Sequence, residues 1–221
     1  MKVKNALILI TSDHAQLSNT LAMHFSTLGA TVIVCGSSQQ NRIKSNKVEQ
    51  KENGNIDYYS LPDHSAESIK QLFDDIEKSY QSAPDVLINH WPIITFPSLI
   101  EEQATDRFIL QLTSMASSLF CFGQTCSEKM RQHQSQGVII NVVWQNSARH
   151  AGVESTNSIV VGLTQSWANE LTPYNIRVAG VIPLVNDNNE SLHWAQIQDE
   201  LIRNTEYIVA NDYFSGRVIA A

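Results

Sequence analysis

Residues 153–184 read VESTNSIVVGLTQSWANELTPYNIRVAGVIPL. Ile159, Val160, Leu163 and Trp167 recur at helical spacing, which predicts a helix over Ser155–Leu171. The apolar run that follows, Arg177–Ile182, reads as a buried strand. A helix that feeds a fully apolar strand is the repeating unit of a parallel sheet covered on both faces.

The same alternation extends outward through the chain. Ala6–Ile10, Thr31–Cys35, Ile56–Ser60, Asp85–Asn89 and Gly137–Trp144 read as strands, and Gly216–Ala221 as a short last one. Leu17–Leu28 is a helix with Leu17, Leu21 and Phe25 four apart, and Gly29 is the turn after it. Ala66–Tyr80 is amphipathic, with Ile69, Leu72, Phe73 and Ile76 on one face. A long helix spans Ala104–His133, and another is expected over Ser191–Arg203. Ser37–Asn55 is polar and reads as a loop, with or without a short helix. No internal repeat or linker divides the chain, so residues 1–221 are read as one α/β domain.

Composition narrows the partners. Twenty-two acids against 15 scattered bases give a net charge of −7, a poor surface for nucleic acid or an anionic membrane. No apolar run approaches the ~20 residues of a membrane span. The apolar stretch Ala6–Thr11 is also too short for a secretory signal core, so the chain is expected in the cytoplasm. Cys35, Cys121 and Cys126 lack metal-ligand spacing and read as free thiols; no metal site is expected.

Several blocks carry a family resemblance. ALILITSDHAQLSNTLAMHFSTLGATVIV stands where short-chain dehydrogenase/reductases have T-G-x-x-x-G-x-G, an apolar helix and G-A-x-V; Thr11, Leu17, Ala22, Gly29, Ala30 and Val32 fall in place. DVLINHWP stands for D-x-L-V-N-N-A-G, and GVIINVVW for G-x-I-V-N-I-S-S. GLTQSWANELTPYNIRVAGVIP and DYFSGRVIA are similar to the family's second half. The resemblance implies a single-domain, Rossmann-like, doubly wound parallel sheet of seven strands. It also implies an NAD(P) site over residues such as Thr11, Ser12, His14, Gln16, Leu17, Ser37 and Asn89.

The residues inside that site depart from the pattern. A dinucleotide loop uses glycines for a tight turn and close approach to the diphosphate. Ser12, Gln16 and Ser18 hold those places. Asp13 puts a negative charge beside an anion site and is expected to cap the helix instead. Neither Ser37 nor Ser38 supplies the acid or base that selects NAD or NADP, and Arg42 lies farther along the loop. Trp91–Pro92 replaces Ala-Gly, so an indole is expected to fill volume that adenosine would need.

The family's reaction uses a Tyr as general acid, a Lys that lowers its pKa, a Ser that polarises the carbonyl and a supporting Asn. Counting back from Gly162 places Val153 at the Tyr position and Asn157 at the Lys position. Trp144 stands for the Ser, and Met115 (or Ser114 with a slip of one) for the Asn. None of the four does the chemistry of the residue it replaces. Ser147, Arg149 and His150 lie nearby in a shortened loop and read as a polar loop rather than a rebuilt site. The segment after Pro183–Leu184 is short, which predicts a reduced lid.

The expected function is therefore a binding or assembly protein on a dehydrogenase frame, with no cofactor. NAD(P) chemistry by an altered loop, and small-molecule sensing in the old substrate cleft, are the alternatives. The resemblance implies a homodimer or homotetramer through helices 104–133 and 155–171, or assembly with an active relative.

Overall fold

The computed structural model describes residues 1–12, 14–36, 55–92, 95–100, 102, 104–143, 153–183 and 190–220. Strands β1 (Leu7–Thr11), β2 (Thr31–Gly36), β3 (Ile56–Ser60), β4 (Val86–Trp91), β5 (Gly137–Val143), β6 (Ile176–Ile182) and β7 (Arg217–Ala220) form one sheet. Their order is β3-β2-β1-β4-β5-β6-β7, and every pairing is parallel. The order reverses between β1 and β4. A crevice opens at such a switch point, at the carboxyl ends of the strands.

All residues of β1 and β5 are buried because helices cover both faces. Helices α1 (Ala15–Thr27) and α5 (Glu190–Ala210) cover one face, where Leu17, Leu21, Phe25, Leu201 and Ile208 pack on alternate strand residues such as Ile8, Ile10 and Ile88. Helices α2 (Ala66–Tyr80), α3 (Ala104–Gln132) and α4 (Val153–Leu171) cover the other, with Phe73, Phe122, Met130 and Trp167 against Leu9, Leu87 and Ile139. The period-two strand pattern divides the core into these two layers. Gly180 lets β7 close against β6: a Cβ there would sit 2.8 Å from Val218 Cγ2.

Element boundaries hold to within two residues except at two places. The segment 37–54, read as a polar loop, lies outside the described residues. Helix α5 runs to Ala210, seven residues beyond the expected Arg203. Thr205, Ile208 and Val209 carry its buried stripe onward, and the Thr205 hydroxyl donates to the Leu201 carbonyl at 2.6 Å. Arg177 on β6 then closes the helix. Its guanidinium donates to the carbonyls of Ile208 (2.9 Å), Val209 (3.2 Å) and Phe214 (3.1 Å), serving groups that a helix end leaves without partners. Charged side chains add lateral ties. Lys129 of α3 reaches Asp74 (2.7 Å) and Glu77 (2.6 Å) of α2, and His24 of α1 meets Glu206 of α5 at 2.8 Å. Among the described residues no helix is long and apolar enough to cross a membrane.

Asp85 precedes β4 and accepts the Leu7 amide at 2.8 Å. Burial raises its pKa, and the Leu7 hydrogen bond opposes that shift only in part. A raised folded-state pKa means that the fold prefers the neutral carboxyl. Its stabilising contribution is complete below the unfolded value and is lost as pH rises through the folded value. Asp85→Asn keeps a carbonyl for the Leu7 amide and removes the charge. The melting temperature of this variant at pH 7 should equal or exceed that of the wild type, and the difference should vanish as pH falls to about 4. A lower melting temperature at pH 7 would contradict the burial argument.

Candidate functional site

The carboxyl edge is organised by a row of buried polar side chains. Thr11, Asn89 and Asn141 lie side by side in register across β1, β4 and β5. The Thr11 hydroxyl donates to Asn89 Oδ1 at 3.0 Å, and Asn89 Nδ2 donates to the Leu119 carbonyl of α3 at 3.2 Å. Asn141 Nδ2 donates to Thr164 Oγ1 of α4 at 3.0 Å, while its Oδ1 accepts the Trp91 indole N–H at 3.0 Å. Both asparagines are fully buried. Each hydrogen bond is therefore one whose loss would leave a group without water or partner.

Trp91, whose indole was expected to fill volume that adenosine would need, is held in the core of the protein. The ring is 1% exposed and turns into the layer beneath α4, where it lies 6.2 Å from the Trp167 ring. The Asn141 carbonyl draws the indole N–H down into the sheet. Trp167 in turn packs over Gly123 of α3, where a Cβ would approach the ring to 3.1 Å. The indole thus joins β4, β5 and α4.

The first turn of α1 is closed by the chain's own groups. His14, not Asp13, is the N-cap: its backbone is extended, and its Nδ1 accepts the Leu17 amide at 3.4 Å. The buried Ser12 hydroxyl accepts the His14 amide at 3.0 Å. The Ser18 amide and hydroxyl both donate to the His14 carbonyl, at 3.1 and 3.2 Å. Burial lowers the His14 pKa, against a smaller opposing effect of its backbone hydrogen bond, and so favours the neutral ring that the cap requires. Gln16 is exposed. Asp13 lies outside the described residues.

The structure joins Thr11 to Asn89, Ser12 to His14, and His14 to Leu17. It places Val153 at the start of α4 and Asn157 one turn below, with Asn157 Oδ1 buried and without a hydrogen bond among the described residues. Met115 and Ser114 lie on α3; their side chains, and that of Val153, are outside the described residues. So are Ser37, Ser38, Arg42, Trp144, Ser147, Arg149, His150 and Leu184. Sequence reasoning placed Trp167 on the apolar stripe of its helix, where it is buried, but missed Asn141 and Thr164. The available signal was a lone Asn at the same depth in the apolar strand VIINVV as in the neighbouring strand VLINHW.

Comparison with known proteins agrees with this geometry. The family model for short chain dehydrogenase matches residues 6–191. The 3-oxoacyl-(acyl-carrier-protein) reductase of Thermotoga maritima is 26% identical over 188 residues, which cover 83% of this chain and 75% of that protein. The 2-dehydro-3-deoxy-D-gluconate 5-dehydrogenase of Formosa agariphila is 26% identical over 187 residues, covering 82% and 69%. A short chain dehydrogenase structure from Leptospira borgpetersenii with bound NAD+ superposes with TM-score 0.75 at 18% identity, covering 98% of this chain and 91% of that one.

Trp91→Phe retains a ring but removes the donor to Asn141 Oδ1, leaving that oxygen buried and unpaired. Stability should fall by about 1–3 kcal/mol, read as a lower urea midpoint at constant slope. An unchanged midpoint would mean that the indole N–H bond contributes nothing.

Proposed function

The chain belongs to the short-chain dehydrogenase/reductase family, and within it we propose a binding and assembly protein that does not transfer hydride. One observation carries the reading: the general-acid position holds Val153 and the lysine position Asn157. A hydrocarbon has no proton to give to a carbonyl oxygen. Loss of general acid catalysis alone removes about 10²–10⁴ in rate. Loss of carbonyl stabilisation, with Trp144 at the serine position, removes roughly a further 10²–10³.

The α1 N-terminus supports the same reading. A diphosphate binds such a helix end through free amides and a bare glycine backbone. Here the His14 and Leu17 amides already have side-chain acceptors in Ser12 and His14. These residues do not fit a dinucleotide in the family's manner. The competing reading, an oxidoreductase with an altered loop, is favoured by the Leptospira relative with bound NAD+ and by the Thr11–Asn89 joint at the switch point.

Self-association through α3 and α4 is part of the proposal. Phe108, Ile109, Leu110 and Phe120 of α3 are all more than 40% exposed. Pairing of two copies across α3 would cover these apolar side chains.

Titration with NADH and with NADPH, followed by melting temperature, tests the first claim. A ligand at 100 times its Kd stabilises by about 2.7 kcal/mol. No rise is expected with either nucleotide; a saturable rise would favour the oxidoreductase. Sedimentation tests the second claim. Leu110→Asp should shift a dimer or tetramer to monomer, whereas a wild-type chain that sediments as monomer, or only with a relative, would remove self-association.

A further inference from the structure

A line of ring contacts runs from the outer face of α3 to the carboxyl edge of the sheet. It starts at Phe120, whose ring meets the Trp167 ring of α4 edge-on at 6.1 Å. Trp167 meets the Trp91 ring at 6.2 Å with a tilt of 48°. Both spacings fall within the ~4.5–7 Å at which aromatic rings attract. The Trp91 indole N–H donates to Asn141 Oδ1, and Asn141 Nδ2 donates to Thr164, each at 3.0 Å. Exposure falls from 49% at Phe120 to 8% at Trp167 and 1% at Trp91. One end of the line is open to a partner and the other is sealed.

Trp167 has little room to absorb a push. Phe120 and Gly123 lie three positions apart on α3, hence on one face of the helix, and the indole touches both. A Cβ at Gly123 would sit 3.1 Å from Cζ3 and 3.2 Å from Cη2 of that ring. Trp91 lies against it from the sheet side. Packing at this density transmits displacement. Asn141 is fully buried and is bonded on both sides. A movement of Trp91 therefore lengthens its bond to Asn141 or carries Asn141 and Thr164 with it.

We infer that Phe120, Trp167 and Trp91 couple the outer face of α3 to the Asn141–Thr164 tie, so that a second copy of the chain seated on Phe120 alters the carboxyl edge. The inference rests on the self-association reading above. Ile109 lies eleven positions before Phe120, about three turns, so both stand on one side of α3, and both are exposed. A copy that covers Ile109 also presses on Phe120. Packed side chains carry such coupling, and it is reciprocal: whatever fills the crevice changes the tendency to associate.

Indole N–H signals of the isotope-labelled full chain test the coupling. Four are expected, from Trp91, Trp144, Trp167 and Trp194, and Trp91→Phe identifies the first by its loss. Phe120→Ala removes only the outer end of the line. It should shift the Trp91 signal by more than its linewidth and speed exchange of that N–H about fivefold or more. Phe214→Ala breaks a ring pair of similar spacing, 5.7 Å to Tyr207, on the other face of the sheet. It should leave the Trp91 signal in place, which separates coupling from a general loss of stability. An unmoved Trp91 signal in Phe120→Ala, or an equal shift in both variants, overturns the inference. In the wild type the Trp91 signal should move as the chain is concentrated, with the midpoint that sedimentation gives for association. Copies that associate while the signal stays fixed overturn the coupling and leave self-association standing, whereas a chain that is monomeric at every concentration removes both.

Discussion

The tie between the asparagines of β4 and β5 and the helices above them is the constraint on which the carboxyl edge depends. Asn89 and Asn141 are neighbours in register, yet each spends its amide differently. One bridges β1 to α3 through Thr11 and the Leu119 carbonyl; the other bridges β4 to α4 through Trp91 and Thr164. In a layer that excludes water, a partly satisfied network of this kind is worse than an apolar one, and a complete network specifies one arrangement. The strand register, the position of α3 and the direction of Trp91 are thereby coupled.

That coupling makes the frame independent of the residues at the start of α4. Val153 and Asn157 lie in the first two turns of α4, about two turns or more above Thr164, where a change of residue leaves Asn141–Thr164 and Trp91–Trp167 intact. The α1 end has been closed separately. His14 and Ser12 supply the acceptors that free amides otherwise require, so the helix start is satisfied without an anion. Stability and chemistry occupy different levels of one crevice, and the second can be lost while the first is kept.

Much of the fold was legible in the residues. LILIT and GVIINVV are apolar at successive positions on both faces apart from Thr11 and Asn141, a pattern that fits a strand covered on both faces. AESIKQLFDDIEKSY has a single apolar stripe, and its helix boundaries came out as expected. The extension of α5 was harder to read, because its last turns depend on Arg177, a residue of another element. At the site, Thr11 and Asn89 were legible as motif positions, whereas their bond to each other was not. Asp13 was the natural cap by residue type; His14 takes the role because its half-buried, neutral ring reaches the Leu17 amide.

The order and kind of the elements, the parallel sheet and the family could be read from the residues alone, because period, burial preference and residue chemistry are local properties. Where Trp91 points and how Asn89 and Asn141 are paired became visible only in the assembled fold. Those pairings depend on contacts between residues 23 to 78 positions apart. Such contacts exist only after the strands have come into register and the helices have been laid across them.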